Sequence, residues 1–151
     1  MKIQTTRFGT INAKKDKIIH MPFGMLGFPE NKRFIMFRHK ENSPFFWYQS
    51  VDDPILAFVI TSPFIFMPAY GVDAEETAKA MSWDDIKTDD LELYVVANIP
   101  KGKPEEMTAN LLGPILINIK NNQAVQMVIS NNTYSHKFPL AGKGQGCSES
   151  K

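Results

Sequence analysis

Residues 44–62, PFFWYQSVDDPILAFVITS, restrict the possible folds more than any other stretch of this chain. Four consecutive aromatics, Phe45-Phe46-Trp47-Tyr48, precede an acidic, proline-containing break at Asp52-Asp53-Pro54, and a solid apolar run from Ile55 to Ile60 follows. Aromatic and β-branched residues on both sides of a turn signal predict two strands joined by a tight connection. Asp bonds locally to its own backbone and Pro removes a ladder donor, so the break has a physical cause. The run from Ile55 does not alternate polar with apolar, which predicts a central strand buried on both faces.

The flanking segments extend this pattern. Lys2–Ala13 reads as a strand pair or bent strand kinked at Gly9, followed by strand-like Lys17–Met21 and Arg33–Arg38. Between the last two, PFGMLGFP places two glycines and two prolines among apolar residues, which predicts a loop whose side chains still need burial or a partner. Residues 63–68 read as a short strand or extended loop. Residues 73–81 carry a helix signal, with Asp73 as cap, Glu76 three residues on, and Ala74, Ala78 and Met81 on one face. Leu91–Ile99 alternates as a half-buried strand. Residues 115–120 and 124–130 read as a hairpin, with Ile115, Ile117 and Ile119 sharing a face with Val125, Met127 and Ile129. A three-residue loop, Asn121-Asn122-Gln123, then sets Ile117 opposite Met127, with an Asn in the left-handed region. Tyr134–Leu140 forms a last extended piece. Eight or nine short strands and one helix predict a mainly β fold, an antiparallel barrel-like or sandwich-like single domain over residues 1–140. Residues 141–151, AGKGQGCSESK, read as a disordered tail.

Chemistry is sparse. No glycine-rich phosphate loop joins a strand to a helix. His20, His39 and His136 lack ligand spacing, so neither a metal nor a cofactor is expected. The one cysteine, Cys147, lies in the tail and cannot form an internal disulfide. The N-terminus has no apolar signal core and no apolar run approaches a membrane span, which predicts a cytosolic chain. Asp52 and Asp53 are the only carboxylate pair beside the apolar centre, and turn formation explains them better than acid–base catalysis. The aromatic quartet admits base stacking on a single-strand-binding barrel, but no Lys or Arg is interleaved with it. Core packing and a partner-binding apolar patch are the stronger readings. Net charge is only +1, yet residues 73–92 hold Asp73, Glu75, Glu76, Asp84, Asp85, Asp89, Asp90 and Glu92 against Lys79 and Lys87. A basic partner or a solvated face accounts for that segment.

Several segments, in order, carry a family resemblance. They are Phe23-Gly24-Met25-Leu26-Gly27-Phe28, residues 44–54 and 56–61, residues 107–115 (MTANLLGPI) and residues 134–140 (YSHKFPL). On these, the chain resembles the flagellar assembly factor FliW family over residues 2–140, while Ala69-Tyr70-Gly71-Val72 replaces a more acidic family stretch. The resemblance implies a cytosolic, non-enzymatic β-barrel-like protein that binds newly made flagellin and the RNA-binding translational regulator CsrA. Flagellin occupancy would free the regulator to repress flagellin translation, and an emptied flagellin pool would reverse this. No direct contact with nucleic acid or membrane is expected, and the free protein is expected to be a monomer. Flagellin is expected at the two Gly/Pro-broken segments, on Met25, Leu26 and Phe28 and on Asn110, Leu111 and Leu112. CsrA is expected at Asp84, Asp85, Asp89 and Asp90, with Asp52 and Asp53 as a second edge. The alternative function is a single-stranded nucleic-acid-binding barrel.

Overall fold

The structure is a computed structural model and describes residues 1–38, 40–130 and 133–140. β1 (Lys2–Thr5) and β2 (Gly9–Asn12) form an antiparallel hairpin. β3 (Ile19–His20), β4 (Arg33–Arg38), β5 (Phe45–Ser50) and β6 (Ala57–Thr61) lead to α1 (Ala74–Ala80). After it come β7 (Leu91–Asn98), β8 (Thr108–Ala109), β9 (Ile115–Asn118), β10 (Gln123–Gln126) and β11 (Phe138–Pro139).

These strands close on themselves. The sheet order β7-β6-β5-β4-β3-β10-β9 returns to β7, because β7 also pairs with β9. β7 meets β9 through Leu91–Tyr94 and β8 through Ala97–Asn98. The result is a barrel of seven strands, with β8 and β11 added outside it. Closure removes the exposed edges that an open sheet would offer to other chains.

Strand alternation then sorts the side chains. Phe34, Tyr48, Ile60, Tyr94, Ile115, Ile117 and Ala124 pack together inside the barrel. Phe34 and Tyr48 stack there with ring centroids 4.4 Å apart. Three patches of the outer wall are also covered. The β1–β2 hairpin lays Ile3 against Ile18 and Ile35. α1 and Trp83 cover Leu116. Tyr70, Leu111 and Leu140 cover Val95, Ala97 and Ala109. The helix spans seven residues, too few to persist alone. Its Asp73 cap accepts the Glu76 N–H at 3.1 Å, Ala78 is buried, and packing on Leu116 does the rest.

The β5–β6 pair, the Arg33–Arg38 strand, the capped helix and the broken 22–29 loop stand as the sequence predicts. Several details differ. The strand expected from Ile55 starts at Ala57, Ile55 itself is 79% exposed in the turn, and the strand is not buried on both faces, since Ala57, Phe58 and Val59 are only half-buried. There Gln49 Nε2 donates to the carbonyls of Ser50 (3.0 Å) and Leu56 (3.1 Å), so the chain is tied down before β6 begins. Residues 63–65 form a 3-10 turn rather than a strand, since Pro63 starts a helical turn readily. β7 buries Val95 and Ala97 on the expected face outside the barrel, but its other face is not wholly exposed, because Tyr94 points into the barrel. The 115–126 hairpin pairs Ile117 with Ala124, not Met127, although Asn122 does adopt a left-handed φ of 56°. β9 is buried on both faces, so alternation selected no unique register. One wall joint is parallel, Gln123 beside His20 of β3. The tail, including Cys147, lies outside the described residues.

Candidate functional site

The loop after β3 returns on itself at one mouth of the barrel. Gly24 has φ 68°, and a Cβ there would lie 2.5 Å from the Pro29 carbonyl oxygen, so only glycine fits. Gly27 is also left-handed, and the Phe28 N–H donates to the Met25 carbonyl at 2.7 Å. This geometry buries Met25 in the barrel core and turns its neighbours outward. Phe23, Leu26 and Phe28 are 69%, 54% and 41% exposed.

The second broken segment meets the same mouth. The Asn110 N–H donates to the Val96 carbonyl at 2.9 Å, and Asn110 Oδ1 accepts the Leu112 N–H at 3.0 Å. Leu111 is buried against the outer wall beside Val95 and Ala97, while Asn110 and Leu112 are half-buried. Gln126 links the two segments. Its Oε1 accepts the Leu26 N–H at 2.8 Å, and its Nε2 donates to the Gly113 carbonyl at 2.9 Å. Met25, Leu26, Asn110 and Gln126 border one cleft of about 250 Å³ that also reaches His136. Residues 85 positions apart in sequence, such as Met25 and Asn110, therefore form one rim, with Met25 as its buried anchor. Sequence reasoning missed Gln126. Its signal was a lone polar side chain inside the run Ala124–Ile129.

The acidic segment forms a separate groove of about 660 Å³ between α1 and the start of β7. Trp83, Leu93 and Leu116 line it with apolar surface, and Glu75, Asp84, Asp85 and Glu92 edge it. Trp83 is fixed by its indole N–H, which donates to Gln123 Oε1 at 2.8 Å. Asp85 sits at φ 56°. Asp90 Oδ2 accepts the Lys87 N–H at 2.9 Å, so this carboxylate shapes the turn as well as charging it. Asp84, Asp85 and Asp89 make no ion pair among the described residues.

Asp52 and Asp53 are placed elsewhere, in the β5–β6 turn. The Arg33 guanidinium donates to Asp52, with its Nε at 3.3 Å, and this hydrogen bond raises the Arg33 pKa. Asp53 Oδ1 accepts the Ile55 N–H at 3.0 Å. Both act as turn formers, and no histidine joins them in a described pocket. Among the described residues no group of three or more His, Cys, Asp or Glu is arranged so that it could hold a metal ion. No helix there is long and apolar enough to cross a membrane.

The FliW protein family model matches residues 2–140. The chain is 39% identical over 142 residues to the flagellar assembly factor FliW of Magnetococcus marinus, covering 93% of this chain and 85% of that protein. It is 39% identical over 144 residues to the FliW of Bacillus subtilis, covering 95% and 99%. A crystal structure of the flagellar assembly factor FliW superposes with a TM-score of 0.83 at 31% identity, covering 94% of this chain and 98% of that one. A match over nearly the whole chain in sequence and in fold makes this protein a member of the FliW family of flagellar assembly factors.

Proposed function

We propose that this flagellar assembly factor works by binding alone, holding newly made flagellin at the barrel rim and the regulator CsrA at the acidic groove. The observation that carries the reading is the exposure of Phe23, Leu26 and Phe28 on a loop whose backbone admits little freedom. Large apolar side chains held in water on a rigid support form a docking surface for an amphipathic segment. Flagellin's terminal segments are of that kind and need shielding before assembly. The acidic groove suits a basic, RNA-gripping partner through charge complementarity, which raises association rate and selects partners. Two partners competing for one small protein in the cytoplasm would couple flagellin supply to its translation.

No catalytic step, cofactor or direct RNA contact is part of this reading. Asp52 and Asp53 are occupied in a turn, and Phe46 packs against the barrel interior rather than presenting a stacking face. The test is Leu26→Asp in a purified pull-down with flagellin. A carboxylate forced into an apolar contact without a partner costs several kcal/mol, so capture should be lost. Leu26 is exposed in the free protein, so thermal unfolding should remain cooperative at an unchanged midpoint. Loss of the fold, or full capture by the variant, would refute the rim as the flagellin site.

A further inference from the structure

Beside the three covered patches, a fourth part of the outer wall is open. Along β5, β6 and β7, a groove of about 750 Å³ runs past Trp47, Ala57, Val59 and Ile99, with Arg7 and Lys101 on its walls and no acidic residue among its lining. Arg7 lies at the tip of the β1–β2 hairpin. That tip is stiff: Thr5 Oγ1 donates to the Gly9 carbonyl at 2.7 Å and accepts the Phe8 N–H at 2.8 Å. The Thr6 N–H donates to the Pro54 carbonyl at 2.8 Å, which ties the tip to the barrel. Phe8 sets its ring edge-on to Phe37 and Trp47, with centroids 4.9 Å and 5.1 Å away.

This places the Arg7 guanidinium 4.8 Å above the Trp47 ring. The other two arginines have acceptors: Arg33 reaches Asp52, and Arg38 donates to the Ser43 carbonyl at 2.8 Å. Arg7 has no acceptor or ion pair among the described residues. Stacking fixes the plane of a guanidinium while leaving its in-plane donors available for a carboxylate fork. Lys101, which also lines the groove, is likewise in no ion pair among the described residues.

We propose that this groove is a docking surface for an acidic, apolar-bearing peptide segment of a partner protein. One of its carboxylates pairs with Arg7, and a neighbouring large apolar side chain lies along Val59, Ala57 and Ile99. Charge selects the occupant, since two cations and no anion line the groove. A peptide fits better than single-stranded RNA. Arg7 already covers one face of the Trp47 ring, so a base stacking on that face would have to displace it. The proposal does not rest on the flagellin or CsrA sites.

Fluorescence anisotropy with labelled synthetic peptides and the full chain tests it. The probes are an aspartate–leucine repeat, a lysine–leucine repeat, an aspartate–serine repeat and a single-stranded RNA of equal length. The aspartate–leucine peptide should bind, and the other three should not. Arg7→Gln should weaken that binding about tenfold or more, the usual scale for a charged hydrogen-bonded pair. Ile99→Asp, at an exposed position past the end of β7, should weaken it comparably. Both variants should keep the native circular dichroism spectrum and melting midpoint. The proposal is overturned by absence of aspartate–leucine binding, by equal binding of the serine or lysine peptide, or by Arg7-independent affinity. Arg7-dependent RNA binding or self-association through this face would overturn it as well.

Discussion

Alkaline pH should unfold this protein through its buried tyrosines, and Tyr48→Phe isolates the contribution of one. Tyr48 is fully buried, and burial alone pushes its hydroxyl far up. Tyr70 donates to the Leu111 carbonyl at 2.6 Å, and Tyr94 donates to Glu92 Oε1 at 3.0 Å. Burial raises both of these as well, with the Glu92 carboxylate adding to the effect on Tyr94. Above about pH 10 the unfolded chain sheds these three protons while the folded chain keeps them. The unfolded state then binds fewer protons, so stability falls as pH rises and is complete only below that value. Each group contributes about 1.4 kcal/mol per pH unit, and the three together about 4 kcal/mol per pH unit. A domain stable by roughly 5–15 kcal/mol loses its fold within a few units of that threshold. Tyr48→Phe keeps the stack on Phe34 and removes a hydroxyl without a partner among the described residues. It should raise stability at neutral pH by about 1 kcal/mol and flatten the alkaline slope by about a third. Urea unfolding followed by circular dichroism, at steps from neutral pH to about pH 11.5, measures both. An unchanged slope, or a variant less stable at neutral pH, would refute the burial argument.

Two further outcomes follow from the rim and the groove. Gly24→Ala should disorganise the 22–29 loop, because its Cβ would meet the backbone of Pro29 and its φ of 68° strains any L side chain. It should cost about 1–3 kcal/mol and abolish flagellin capture, read by urea unfolding and pull-down. Replacing Asp84, Asp85, Asp89 and Asp90 together with Asn should slow CsrA association and flatten its salt dependence, with a smaller change in dissociation. Stopped-flow binding at low and high salt checks this, and matching on-rates in the two proteins would remove the acidic groove from the mechanism.

Sequence legibility tracked how local each determinant is. Arg33–Arg38, Phe45–Ser50 and the Asp73-capped helix depend on side chains within a few residues, and their composition exposes them. The 115–126 register was hidden because Leu116 is buried under Trp83 while Ile115 and Ile117 are buried inside the barrel. With both faces apolar, the spacing of hydrophobic residues says nothing about which residue lies opposite which. Barrel closure depends on Tyr94 meeting Ile115 and His20 meeting Gln123, contacts far apart in sequence that no local pattern encodes. At the rim, the glycines and prolines announced an irregular loop, so Leu26 and Phe28 were readable as surface. That Met25 turns into the barrel, that Leu111 packs on its outer wall, and that Gln126 binds the two segments together, required the folded chain.

The parallel joint at Gln123 and His20 has a mechanical consequence. Elsewhere around the ring, neighbouring strands pair through two to five residues each, whereas here the backbone pairing is one residue pair with the His20 N–H to Asn122 carbonyl bond at 2.8 Å, joined by side-chain bonds from Asn122 to the Asp16 carbonyl and from the Leu26 N–H to Gln126. The barrel is therefore a hoop with a clasp, and local opening costs least where the fewest backbone bonds must break. The clasp lies at the foot of the strand that leads into the 22–29 loop, so a molecule gripping that loop pulls on the weakest link in the ring. Amide exchange at His20, followed with and without a rim-bound partner, reads the state of the clasp directly.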